Sequence, residues 1–69
     1  MSKIKRDGMV RSCAGLHSCA KDLREAAAAA AESADFTSQM TAAWLQRMAE
    51  KIEGHTIYIE TVLAEASDA

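Results

Sequence analysis

The sequence contains no proline, only three glycines and only three aromatic residues. Because this leaves little turn chemistry, and β-branched residues are also few, a sheet of several strands is disfavoured and helix is favoured. Large apolar side chains are scarce too: 15 residues are alanine, and only 17 are apolar residues larger than alanine or cysteine. A single domain of 69 residues buries only ~60% of its unfolded surface, so a monomer would be marginally stable.

Signals for export or membrane insertion are also missing. No apolar stretch of signal-peptide length follows the basic residues Lys3, Lys5 and Arg6, and the longest uncharged apolar run, residues 26–31, is far shorter than the ~20 residues of a membrane span. Cys13 and Cys19 lie six residues apart on a predicted helix, too far apart to form a disulfide with each other. These features predict a cytoplasmic protein with free thiols and no membrane partner.

The net charge of −2 is unevenly distributed along the chain. Residues 1–24 carry six bases and two acids, whereas residues 25–69 carry two bases and eight acids. One interpretation is a basic arm that binds nucleic acid, and the other is a hairpin that lays the basic start beside Glu60, Glu65 and Asp68. The acidic balance, and the absence of aromatic residues among the N-terminal bases, favour the second interpretation.

Two rows of mostly apolar residues alternate spacings of four and three, the heptad pattern of helices that pack along their length. The first row comprises Met9, Cys13, Leu16, Ala20, Leu23, Ala27, Ala30 and Ala34. The second comprises Thr41, Leu45, Met48, Ile52, His55, Ile59, Val62 and Ala66. They predict an all-α antiparallel helical hairpin, with a polar basic tail over 1–6, helix one over 7–34, a turn over 35–37 and helix two over 38–67.

The helix ends are predicted from residues that cap helices. Asp7 is the expected N-cap of helix one, and either Asp35 or Thr37 can cap helix two. If Thr37 is the cap, Phe36 takes the position of a hydrophobic staple. Gly54 could end helix two early, but the heptad spacing continues through it, which favours one continuous helix.

The width of the apolar surface predicts a second chain. A turn near residues 35–36 places Leu16 opposite His55 and Leu23 opposite Met48. The apolar positions of helix two cover about half its circumference, more than one neighbouring helix can bury. A C2 homodimer that forms a four-helix bundle is the most economical solution. The predicted dimer or core seam comprises Leu16, Leu23, Leu45, Met48, Ile52, His55, Ile59 and Val62.

The cysteines and histidines lack the neighbouring residues that a metal site or a catalytic group requires. Cys13 and His17 are four residues apart and His55 would lie near their level, but there is no CxxC pair and Cys13 already serves packing, so no metal is expected. His55 could set the register or respond to pH, although a histidine at the seam margin that reaches water is the simpler interpretation. Cys19 lacks an activating His–Asp pair. The sequence therefore predicts no enzyme, catalytic residue or cofactor.

One flank of helix two carries residue types that are enriched at protein interfaces. The predicted partner-binding set is Met40, Trp44, Arg47, Lys51 and Tyr58, with Arg24 contributed by the flank of helix one. Trp44 and Tyr58 could instead belong to the core of the dimer, and the sequence leaves both options open.

Residues 41–53 (TAAWLQRMAEKIE) resemble a helix of the small early proteins with which temperate phages disable host proteins. In size and plan the chain is similar to the phage anti-activators of bacterial quorum sensing. Those are dimeric two-helix proteins that bind a LuxR-type regulator and, in the known example, a type IV pilus assembly ATPase. The resemblance implies an inhibitor or regulator that binds a bacterial protein around Trp44. The alternatives are a small nucleic-acid-associated regulator that uses the basic N-terminal segment, and a structural helical subunit of a larger assembly.

Overall fold

The structure, a computed structural model, describes residues 2–67 and consists of two long helices. Helix α1 spans Lys3–Ala31 and has 29 residues, and helix α2 spans Phe36–Ser67 and has 32. The two helices pack against each other in a hairpin that measures 52 × 15 × 11 Å. The predicted all-α helical hairpin is confirmed.

Helix α1 begins at Lys3, four residues earlier than the predicted start at Asp7. Ser2 is the N-cap, and its hydroxyl accepts a hydrogen bond from the Lys5 amide at 3.3 Å. The predicted tail over 1–6 is therefore wrong from Lys3 onwards. Aspartate before an apolar row suggested the later start, but serine caps equally well, and the lysines and arginine that follow it are good helix formers.

Asp35 is the N-cap of α2, which decides between the two caps that the sequence allowed. Its carboxylate accepts a hydrogen bond from the Ser38 amide at 2.9 Å and another from the Ser33 hydroxyl. Helix α2 therefore begins at Phe36 rather than at the predicted residue 38, and Thr37 lies within its first turn. The hydrogen bonds from Ser33 and Ser38 stabilise the ionised carboxylate and lower the pKa of Asp35 to about 2.

The end of α1 is held by a side chain from α2. Helix α1 ends at Ala31, earlier than the predicted residue 34. The Gln39 side-chain amide donates to the Ala31 carbonyl at 2.8 Å and to the Ser33 carbonyl at 2.6 Å. The Ala31 carbonyl belongs to the last turn of α1, whose acceptors have no partner within the helix, and the Ser33 carbonyl belongs to the turn that follows.

The Asp35 cap predicts acid sensitivity with a defined sign. Because the pKa of Asp35 is lowered in the folded state, the ionised carboxylate adds to the free energy of unfolding. This stabilisation is fully present above the ordinary aspartate pKa near 4 and is lost as the pH falls towards about 2. We expect Tm, followed by circular dichroism, to be level from about pH 7 to 5 and to fall between about pH 4 and 2. Asp35→Ser keeps a cap without a titrating group. Asp35→Ser should have nearly the wild-type Tm at pH 7, and its Tm should decrease less than that of the wild type between about pH 4 and 2. If the two proteins have the same Tm profile in acid, the proposed role of Asp35 is contradicted.

Helix α2 continues through Gly54 without a break, as the heptad spacing favoured. A Cβ at Gly54 would meet no atom within 4 Å, so nothing within the hairpin requires glycine there. We expect Gly54→Ala to stabilise the fold by ~1 kcal/mol and to raise Tm by roughly 4–8 °C, because alanine has the higher helix propensity. Thermal melts test this, and a lower Tm would contradict it.

Small side chains fill the contact between the helices. The buried residues of α1 are Cys13, Ala20 and Ala27, and those of α2 are Ala42, Ala49, Thr56 and Leu63. Within each helix the buried positions recur every seven residues, as in helices that pack along their length. The Thr56 hydroxyl donates to the Ile52 carbonyl of its own helix at 2.6 Å, so this buried polar atom is satisfied.

The register of the hairpin differs from the prediction. The Arg24 guanidinium pairs with the Glu53 carboxylate at 2.7 Å, and His17 contacts Glu60 at 2.9 Å. Each residue of α1 therefore faces a position in α2 that lies about six residues later than the prediction, which aligned Leu23 with Met48. The facing pairs predicted from the second row are therefore wrong. The residues one position later in α2 take the inner place, and three of these four, Ala42, Ala49 and Thr56, are small enough to allow the helices to approach closely.

Candidate protein-interaction surface

The hairpin has one polar flank, which two cross-helix pairs occupy. Arg24 and Glu53 form a double hydrogen bond with nitrogen–oxygen distances of 2.7 and 3.3 Å, and His17 and Glu60 lie on the same side. Hydrogen bonding between Arg24 and Glu53 raises the pKa of the guanidinium and lowers that of the carboxylate. Both groups therefore stay charged over the physiological pH range.

The opposite flank of the hairpin is apolar. Leu16, Leu23, Ile52 and Ile59 each directly precede an ion-pairing residue, which rotates them ~100° away around the helix. Since the helices are antiparallel, this rotation brings all four to one side. We call this side the apolar face, which comprises Met9, Leu16, Leu23, Leu45, Met48, Ile52, Ile59 and Val62. It contains seven of the eight residues of the predicted dimer or core seam; the eighth, His55, is exposed on the same row of α2 as Met48 and Val62.

The elongated hairpin exposes more surface than a compact monomer of its size, and its apolar face is part of that exposed surface. Met9, Met48 and Val62 are 43%, 51% and 44% exposed. The chain exposes 5145 Å² in total, whereas a compact monomer of 7.4 kDa exposes about 4,200 Å². Its radius of gyration is 15.8 Å, against ~11 Å for a compact domain of this length. The excess of about 900 Å² is close to the ~800 Å² that each partner buries in a standard interface.

The turn end of α2 projects beyond α1. Arg24 lies seven residues before the end of α1, whereas its partner Glu53 lies 17 residues after the beginning of α2. Helix α2 therefore extends past the end of α1 by about ten residues, or nearly three turns. Within this segment Gln39 contacts the Ala31 carbonyl at the end of α1, whereas Phe36 and Trp44 are 74% and 64% exposed.

An apolar groove lies along this projecting segment. Its volume is about 310 Å³, and its walls include Phe36, Met40, Trp44 and Met48. A smaller groove beside it is lined by Trp44, Met48 and two bases, Arg47 and Lys51. The structure thus brings together four of the six residues predicted to bind a partner, namely Met40, Trp44, Arg47 and Lys51.

The other two predicted residues lie elsewhere. Tyr58 is 71% exposed on the same side of α2 as Trp44, but two heptads, or ~21 Å, further along. Arg24 lies on the polar flank with Glu53 and does not join Trp44. Phe36 also lines the apolar groove, although the sequence suggested only a staple role for it; its spacing of four from Met40 is the signal that places the two side chains together.

The cysteines and histidines that were considered for metal binding or catalysis lie apart from one another. Cys13 is buried and Cys19 is exposed, and both are free thiols. His17 pairs with Glu60, while His55 is exposed on another row. Among residues 2–67 no group of three or more metal-ligating side chains comes together in a way that could hold a metal ion.

The basic start of the chain is part of α1 rather than a separate arm. Lys3, Lys5 and Arg11 are exposed along this helix, and Arg6 lines a shallow groove with Glu60. Asp68, one of the acids expected beside these bases, lies outside the described residues. Within the part of the chain that the structure describes, no helix has the length and apolar character to cross a membrane.

Comparisons of this chain with protein-family models, with curated proteins and with solved structures find no match. The candidate surface therefore rests on the geometry and exposure of its own residues.

Proposed function

We propose that the chain is a non-enzymatic protein-binding module that works as a homodimer. The observation that carries this proposal is the exposed apolar face, on a chain whose total surface exceeds that of a compact monomer by about one side of a standard interface. In a C2 dimer the apolar faces of two hairpins meet and form a four-helix bundle. The polar flanks with their Arg24–Glu53 pairs then remain at the surface, where charged side chains stay hydrated.

The dimer leaves a second surface for another protein. The anchor surface, which we define as Met40, Trp44, Arg47 and Lys51, lies on the outer side of α2, next to the apolar face, and Met48 of that face lines both grooves beside Trp44. Exposed tryptophan, arginine and methionine are typical of interface anchors. We infer that a partner protein docks here by placing a helix against α2.

The target that we propose is a bacterial regulatory protein in the cytoplasm. The resemblance of residues 41–53 to phage anti-activators supports this choice, and a LuxR-type transcription regulator is the corresponding candidate. Docking on a preformed helix surface would inhibit such a regulator by occluding its own dimer contacts or its nucleic-acid site.

Trp44→Ala should lower affinity for the captured partner by ~30-fold or more, because truncation of an interface anchor typically costs about 2 kcal/mol or more of binding free energy. The test is a pull-down from bacterial lysate with mass spectrometry, followed by titration of the captured protein. Ile57→Ala is the matched control, since Ile57 is 56% exposed on a different side of α2. Equal loss of affinity in both variants, or in neither, would contradict an anchor role for Trp44.

The alternative functions predict other outcomes. A nucleic-acid-associated regulator would bind through Lys3, Lys5 and Arg11, and its affinity would fall steeply between 50 and 200 mM salt, as phosphate contacts require. A structural subunit would co-purify with a stoichiometric assembly and not with a single regulator. Titrations at two salt concentrations separate the first alternative from a mainly apolar helix interface.

A further inference from the structure

The outer side of α2 carries a straight row of interface-type residues that the apolar face does not include. Trp44, Lys51 and Tyr58 follow one another at spacings of seven, so they align along the helix over ~21 Å. Arg47 and Gly54 lie beside this row. We call these five residues the docking stripe. Because Trp44 and Tyr58 are 64% and 71% exposed, the two ends of the stripe are apolar anchors and its middle is basic.

The two bases of the stripe have no acidic partner in the hairpin. The ion pairs among residues 2–67 are His17–Glu60 and Arg24–Glu53, and neither involves a base of the stripe. Glu50, the nearest acid in sequence, contributes to the electrostatic environment of Arg24 on the polar flank. Arg47 and Lys51 are thus locally uncompensated cations on a chain whose net charge is −2. Charge complementarity selects an acidic partner for this stripe.

Gly54 leaves the middle of the stripe without a side chain. Glycine inside a helix lowers stability by ~1 kcal/mol relative to alanine, yet a Cβ here would meet no atom within 4 Å. Gly8 and Gly15 of α1 have equally open surroundings, so the open space alone does not identify a partner. What distinguishes Gly54 is its place between Trp44 and Tyr58, where a missing side chain lets the backbone of another helix come close to α2.

We propose that the docking stripe binds one amphipathic α-helix of a partner protein, which crosses α2 over Gly54. This helix has apolar residues that contact Trp44 and Tyr58 near its two ends, and glutamate or aspartate side chains that pair with Arg47 and Lys51 in between. A helix fits better than a strand, since the stripe is straight and about four helical turns long. The inference rests on the proposed protein-binding function and specifies the chemistry of the partner.

Two synthetic helical peptides of about 20 residues test the proposal on the full-length protein. Both are alanine-based with leucine anchors two heptads apart; one carries glutamate in its middle turns and the other carries lysine at the same positions. Emission of Trp44, the single tryptophan, reports binding. We expect the glutamate peptide to bind at least about 10-fold more tightly than the lysine peptide in 50 mM salt, with a smaller ratio in 500 mM salt.

Variants of the stripe make the test specific. Arg47→Glu combined with Lys51→Glu should reverse the preference between the two peptides. Gly54→Leu should lower the affinity for the glutamate peptide about 10-fold or more while the helical signal of the protein in circular dichroism is kept. Ile57→Leu should leave the affinity for this peptide unchanged. The absence of binding by either peptide up to millimolar concentration, equal binding of both, or indifference to Gly54→Leu would each overturn the proposal.

Two further outcomes identify a different occupant and also overturn the proposal. If Arg47→Glu with Lys51→Glu dissociates the homodimer, a second copy covers the stripe. If vesicles that contain phosphatidylglycerol shift the Trp44 emission as strongly as the glutamate peptide does, the stripe binds an anionic surface. If the peptides fail while a lysate protein is still captured through Trp44, the proposed function stands and only the acidic-helix inference falls.

Discussion

Ile59→Glu is expected to prevent formation of the proposed homodimer and to leave a monomer. Ile59 lies in the apolar face and is 39% exposed in the isolated hairpin, so the fold of one chain tolerates a charge there. In a C2 dimer the same change places two carboxylates in the interface without partners. An uncompensated buried charge is unfavourable by roughly 3 kcal/mol or more, which weakens dimerisation by about 100-fold or more.

The matched control for this prediction is Ile57→Glu. It makes the same substitution in the same helix, at a residue that is 56% exposed and lies outside the apolar face. Analytical ultracentrifugation should find Ile57→Glu dimeric at the concentration where Ile59→Glu is monomeric. A dimeric Ile59→Glu protein would contradict an interface through the apolar face.

The second large effect is expected in the contact between the two helices. Ala49 is fully buried at a position where α1 and α2 pack closely through small side chains. Leucine at this position must either push the helices apart or adopt a strained rotamer. We expect Ala49→Leu to destabilise the fold by about 1–3 kcal/mol, which lowers Tm by roughly 5–20 °C.

Ala29→Leu provides the control for Ala49→Leu, because Ala29 is exposed on α1 and the added side chain meets solvent. Its Tm should stay within a few degrees of the wild-type value. Thermal melts of both variants at one protein concentration make the comparison. An unchanged Tm in Ala49→Leu would show that the helix contact has room for a large side chain, contrary to the packing described above.

The sequence predicted the fold class because its heptad rows and its lack of turn residues both indicate long helices. The rows also identified the right side of α1, where Cys13, Ala20 and Ala27 are buried. In α2 the large residues were assigned to the contact with α1, whereas Ala49 and its small neighbours in the heptad occupy it. Hydrophobicity alone cannot tell which of two adjacent rows faces inward when one consists of small residues and the other of large ones.

The sequence predicted the members of the candidate site that lie on one helix, but not the position of the member on the other helix. Residues on one helix, such as Trp44 and Lys51, could be grouped from spacing, since helical geometry fixes their relative positions. Arg24 lies on the other helix, so its position relative to Trp44 depends on the register of the hairpin. The side chain of Gln39 and the cap at Asp35 help to set that register, and neither contact is visible in a heptad pattern.

Sedimentation equilibrium of the wild-type chain at micromolar concentration tests the central claim most directly. The shortage of large core residues and the exposed apolar face together predict a mass of twice 7.4 kDa. A well-folded monomer of 7.4 kDa at this concentration would contradict the account, because the apolar face would then remain in water without a second chain to cover it.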